Sequence, residues 1–170
     1  MTTVVKTIAS LAPMLQTLLG LPAGKVVRGQ ANNVPAPLPP SVVLTPLMLN
    51  QYTTTRTKLD GVGNTMEYLM PKRLEVQMDF YGIQGGDNAN KVTTIFRSGA
   101  LMDQFPEGVT TLYCSDARQF PLTTGEKQYE DRWSLTLSLQ YNEPVILSQE
   151  SFNAVGDVST EPANITTPLE

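Results

Sequence analysis

Two stretches of the chain alternate apolar and polar residues with a period of two. In residues 73–81, Leu74, Val76, Met78 and Phe80 fall on one side, and Arg73, Glu75, Gln77, Asp79 and Tyr81 on the other. In residues 132–142, Trp133, Leu135, Leu137, Leu139 and Tyr141 alternate with Arg132, Ser134, Thr136, Ser138, Gln140 and Asn142. Successive side chains of a strand point to opposite faces, so both stretches read as half-buried strands sharing one apolar layer. Helical spacing occurs twice. Val4, Ile8, Leu11, Leu15 and Leu18 form one stripe of a helix that Gly20 and Pro22 end, with Pro13 predicting a kink or a split. The simpler reading packs this helix on a sheet; the alternative docks it on a neighbouring subunit. Ala89, Val92, Ile95, Phe96 and Gly99 share a second helical face. The pattern predicts a helix over about residues 88–103, with Asp87 as its N-cap, Gly85-Gly86 as the preceding turn and Pro106 beyond its end.

Between these elements the pattern is weaker. Residues 29–40 read GQANNVPAPLPP, too rich in proline for a helix or a central strand, and predict an extended arm. Ser41–Leu49 is rich in Val and Leu and reads as a strand, which Pro46 places at an edge or a bulge. Residues 50–66 are polar, carry two glycines with Arg56 and Lys58, and read as a long hairpin loop. Residues 109–116 predict a further strand, and a turn-rich segment with Pro121 and Gly125 follows. Residues 151–170 hold no Lys or Arg but carry Asp157, Glu161 and Glu170, the composition of an extended or disordered acidic tail. The order of elements predicts an α+β fold: a mixed or antiparallel sheet of about four strands packed against two helices, with extended arms. We divide the chain into one domain over 1–150 and a tail over 151–170.

Composition narrows the function. Charged residues are 16% of the 170, below the roughly one quarter of an ordinary domain. Uncharged polar residues replace them, which suits burial against other subunits. The net charge is −4 and the twelve Lys and Arg are scattered, whereas duplex binding draws on clustered cations. There is no histidine, which removes His-based acid–base or triad chemistry and His-ligated zinc. A single cysteine, Cys114, allows no intramolecular disulfide and reads as a buried thiol. Asp79, Asp87, Asp103 and Asp116 match no calcium-loop spacing. Arg132 lies beside Glu130, Asp131 and Trp133, where an ion pair or a stacked arrangement is expected. No apolar stretch spans a bilayer, and residues 8–21 make a poor signal sequence because Pro13 and Gln16 interrupt them. No catalytic, cofactor or metal site is expected.

One resemblance gathers these pieces. After the first helix comes a segment with Gly29, Asn33, Pro35, Pro37 and Pro40. A strand ending in Phe80-Tyr81-Gly82 follows, then a helix containing Phe96-Arg97-Ser98. Tyr129, Arg132 and Trp133 lead into the last strand. Over roughly residues 25–145 this resembles the neck or tail terminator proteins of tailed bacteriophages, and its architecture is similar to the tail terminator of phage lambda. The resemblance implies a homo-hexameric ring on the head-proximal end of the tail. Such a ring stops tube growth and meets the tail tube protein, the neck or head-completion proteins and, in a contractile tail, the sheath. Genomic DNA would pass through its lumen without tight binding. The expected location is the virion, after assembly in the host cytoplasm, with no membrane partner. Asn33, Pro35, Pro37, Arg56, Lys58, Arg132, Asp157 and Glu161 are the candidate interface residues, and the arms over 29–40, 50–66 and 151–170 are expected to touch neighbouring subunits or rings. A different head–tail connector, a baseplate component, or a stand-alone binding domain remain alternative readings.

Overall fold

A computed structural model describes residues 3–29, 38–60, 62–123 and 129–148. Helices α1 (Thr3–Leu19) and α2 (Gly85–Ser98) accompany eleven described strands. These are β1 (Val26–Arg28), β2 (Ser41–Gln51), β3 (Arg56–Asp60), β4 (Thr65–Leu69), β5 (Lys72–Tyr81) and β6 (Val109–Cys114). The remainder are β7 (Arg118–Gln119), β8 (Leu122–Thr123), β9 (Tyr129–Glu130), β10 (Arg132–Tyr141) and β11 (Pro144–Ser148). The main sheet is mixed and runs β1-β2-β5-β10-β6, with β7 also on β10. Only β1 and β2 pair in parallel. The α+β architecture matches the expectation; the strand count exceeds it because several strands have only two to five residues.

The period-two strands set the register. Leu74, Val76, Met78 and Phe80 of β5 face Leu139, Leu137, Leu135 and Trp133 of β10. On the other side of β5, Leu44 and Val42 of β2 oppose Met78 and Phe80. These residues form one cluster with Ile8, Leu11, Met14 and Leu15 of α1 and with Ala89, Val92 and Phe96 of α2. Both helices therefore cover a single face of the sheet, and α1 packs on its own domain. Trp133 is packed against this layer without being fully buried. The main sheet's rise of about 3.3 Å per residue makes β5 and β10 each roughly 33 Å long.

Several local expectations are corrected. Helix α1 runs unbroken through Pro13, which lies on its exposed side; the pyrrolidine ring costs one hydrogen bond where water can serve the freed carbonyl. Helix α2 begins three residues early. Gly85 and Gly86 are its first turn, Gln84 is the N-cap, and Asp87 lies inside the first turn. The glycines are required by packing: a Cβ on Gly86 would lie 2.9 Å from Cε2 of Trp133. The helix also ends early, at Gly99, whose φ of 73° gives a left-handed cap; a short 3₁₀ turn, Met102–Gln104, completes the predicted length. Pro46 does mark a bulge, since the β2–β5 register shifts between Pro46 and Met48. It also lies beyond the part of β2 that β1 covers, so the missing N–H faces an open edge.

Residues 50–66 are not a long loop. They hold the end of β2, all of β3 and the start of β4, and β3-β4-β11 form a separate antiparallel sheet. Its topology continues that of the body. Strand β2 leads to β3, β4 leads through Met70-Pro71 to β5, and β10 leads through Asn142-Glu143 to β11. The small sheet thus repeats the order β2-β5-β10 as a three-stranded arm beyond the ends of those strands.

Candidate assembly surfaces

Opposite the helices the main sheet presents a polar face. Ser134, Thr136, Ser138 and Gln140 of β10 oppose Asp79, Gln77, Glu75 and Arg73 of β5. Its most buried charge is Asp79, 4% exposed. Arg132 grips that carboxylate with two bonds, Nε to Oδ1 at 3.2 Å and Nη2 to Oδ2 at 3.0 Å. Gln77 donates its Nε2 to the same two oxygens at 3.0 and 2.9 Å. The Arg132 guanidinium lies over the Tyr81 ring, 5.9 Å from its centroid. The Asp79 hydrogen bond raises the Arg132 pKa, and burial raises that of the Tyr81 phenol. The expected partners of Arg132 are thereby replaced. Asp79, 53 positions away in sequence, takes the place of Glu130 or Asp131, and Tyr81 takes the place of Trp133. Asp131 instead accepts from Gln119 Nε2 at 3.1 Å. Arg132 is thus tied to the sheet through Asp79, with 28% of its side chain still exposed on this face.

A second arginine ties α2 to the sheet. Arg97 donates from Nε and Nη2 to the Cys114 carbonyl at 2.9 and 2.8 Å, and from Nη2 to Asp116 at 2.8 Å. Its guanidinium lies 5.6 Å from the Tyr113 ring centroid. Cys114 is 1% exposed with its thiol toward Thr93, and burial raises its pKa. Two of the four aspartates considered for a metal are thus held by guanidinia, and no group of three potential ligands converges among the described residues. No described helix is long and apolar enough to cross a membrane.

The arm is exposed along both its edge strands. Every residue of β3 and β11 is exposed, and no residue of the arm belongs to the core cluster. Its register sorts the side chains cleanly. Thr57, Tyr68 and Val145 form one cross-strand row and Leu59, Met66 and Leu147 the next, so one face is largely apolar. The opposite face carries Arg56, Lys58, Asp60, Glu67 and Ile146. Lys58 opposes Glu67, while Arg56 opposes Leu69. At the base, the Tyr52 N–H donates to the Pro71 carbonyl at 3.0 Å, and the Tyr141 hydroxyl donates to the Glu143 carboxylate.

At the other end of the same strands lies a concavity of about 580 Å³, lined by Pro39, Pro40, Gly82, Ile83, Gln84, Glu130 and Asp131. Arg56 and Lys58, placed by sequence in a loop, are thus on an arm strand. Asn33, Pro35, Pro37, Asp157 and Glu161 lie outside the described residues. The arm itself escaped sequence reading; the run of β-branched threonines at 53–55 and 57 was the available signal.

A two-helix, mixed-sheet body with a polar sheet face and a projecting arm offers many surfaces, and among the described residues no group of three potential metal ligands converges. The model of a family described as phage neck terminator protein matches residues 5–166. The chain belongs to that family. The match takes in α1, the whole sheet and the arm, and it reaches past residue 150, so the family relation is wider at both ends than the 25–145 over which sequence motifs suggested it. Neck terminators are structural phage proteins, in keeping with a non-enzymatic role. No curated protein matches the chain.

Proposed function

We propose that the chain closes into a homo-hexameric ring at the head-proximal end of a phage tail. The ring ends growth of the tail tube and offers its far surface to the neck or head-completion proteins. In a contractile tail the sheath would stop at the same level. No cofactor takes part, and genomic DNA passes through the lumen without being held. The observation that carries this reading is the family match over 5–166, which includes both helices, the sheet and the arm. Rings need two different patches on each subunit, because head-to-tail contacts are heterologous. The open edges of β3, β6 and β11, the polar sheet face and the arm supply more than two.

The test is disruption of the gene in the phage, followed by electron microscopy of the lysate. Overlong tubes or finished tails lacking heads are expected, with rescue by the gene supplied in trans. Normal tails of normal length on normal heads would refute the role. Label placed on the protein in intact particles should fall at the head–tail junction; label at the baseplate would favour a different virion part.

A further inference from the structure

The body and the arm meet along one seam. The last body row pairs Gln51, Lys72 and Tyr141 of β2, β5 and β10. The first arm row pairs Arg56, Leu69 and Pro144 of β3, β4 and β11. Between these rows all three strands stop together, at residues 52–55, 70–71 and 142–143. The connectors hold four, two and two residues, so two residues of the first have no counterpart and the ladder cannot run through. Proline removes further bonds. Pro71 lies in the middle connector and Pro144 opens β11, and neither has an N–H to donate. Among the described residues one backbone bond joins two connectors, from the Tyr52 N–H to the Pro71 carbonyl at 3.0 Å. The Asn142 N–H donates to the Gly108 carbonyl at 2.8 Å, which fastens the start of the third connector to the body. The arm strands pack mainly on one another, and none of their residues enters the core cluster.

We infer that the arm turns as a rigid unit about this seam, a property that goes beyond the terminator role and does not depend on it. A sheet is stiff along its strands because ladder bonds and cross-strand packing couple neighbouring chains. That coupling is complete on both sides of the seam, with three strands in register in the arm and in the body. Across the seam it thins to the connectors, so bending concentrates there. Hinges are built in this way, from a few residues at the ends of elements that absorb the change in φ and ψ. The lengths also give the hinge a direction. The two short connectors, beside each other in strand order, form the axis. The four-residue connector at the β2 edge holds the slack that folds or extends as the arm tilts. The β3 edge therefore travels furthest. A free subunit samples a range of arm directions, and a partner that grips the arm selects one of them.

The test reads the arm direction in full-length protein by double electron–electron resonance between nitroxide labels. On a Cys114→Ala background, Leu59→Cys on β3 is paired with Ile83→Cys at the far end of the body. Leu112→Cys with Ile83→Cys, both on the body, is the rigid control. The three replaced side chains are exposed, so the labels leave the packing intact. Dilution with an excess of unlabelled protein confines the reading to distances within one subunit, whatever the oligomeric state. The arm-to-body distribution should be at least about twofold wider than the control. Deleting Thr54 and Thr55 gives all three connectors two residues and should narrow it to the control's width. An arm-to-body distribution as narrow as the control would overturn the inference. So would a width that the deletion leaves unchanged in a folded variant; if the shortened chain does not fold, the width in the parent decides alone. Normal tails after gene disruption would remove the terminator role and leave the hinge standing.

Discussion

Leu137 has no exposed surface and is flanked by Val76 of β5 and Cys114 of β6. Leu137→Ala removes three carbon atoms from a layer closed by two helices, and the cavity cannot collapse easily. A loss of about 2–5 kcal/mol is expected in urea unfolding, with the m-value unchanged. Arg132 makes a different case. Its partner Asp79 is almost wholly buried, so Arg132→Met leaves an uncompensated carboxylate and should cost about 2–4 kcal/mol. Adding Asp79→Asn should recover part of that loss, and a double-mutant cycle measures the coupling. Additive losses would show that the pair does not act as a unit. Cys114 supplies a pH dependence. Burial raises its pKa, so the folded state binds the thiol proton more tightly than the unfolded chain does. Its contribution is full below the unfolded value of about 8.5 and declines as pH rises through the folded one. Stability should fall as pH rises above the unfolded value and through the raised folded one, and Cys114→Ala should flatten that stretch of the curve. The apolar residues of these strands were legible because period-two alternation marks them directly. The Asp79–Arg132 pair was not, because the partners are distant in sequence and only the β5–β10 register brings them together.

At the scale of elements, the first turn of α2 joins backbone to core. Gly85 and Gly86 let the Trp133 indole lie against the helix start, which a Cβ on Gly86 would obstruct at 2.9 Å. Gly86→Ala gains up to about 1 kcal/mol in helix propensity. It loses about 1–3 kcal/mol to overpacking, so net destabilisation is expected, with a change in tryptophan emission. An emission spectrum and a midpoint identical to the parent would show that the indole moves aside freely. A glycine pair before a helix pattern reads as a turn in sequence, because nothing local reveals a tryptophan some fifty residues on. The arm was hidden for a related reason. Strands β3 and β11 bury no face, so no hydrophobic period marks them, and threonine-rich β-propensity is a weak signal by itself. Both helices were legible from their apolar stripes, while their ends were set by packing and by the left-handed cap at Gly99.

At the scale of the molecule, charge decides how the protein treats the genome it is proposed to surround. Affinity for a duplex grows with each phosphate neutralised, because each releases counterions. The chain has twelve basic residues against sixteen acidic ones. Three of the twelve are already engaged: Arg73 with Glu75, Arg97 with Asp116 and Arg132 with Asp79. Lys58 faces Glu67 across the arm. Among the described residues, a guanidinium bound to a carboxylate must give up that partner before it can bind a phosphate, which erodes the gain. A collar that holds DNA tightly would also resist its passage at every helical turn. The isolated protein should therefore show no duplex binding near physiological salt, and only weak, steeply salt-dependent binding well below it. Fluorescence anisotropy with a labelled duplex across a salt series measures this. Binding that persists near 150 mM salt would show that assembly-independent cation clusters exist, and would overturn a lumen that lets DNA pass unheld.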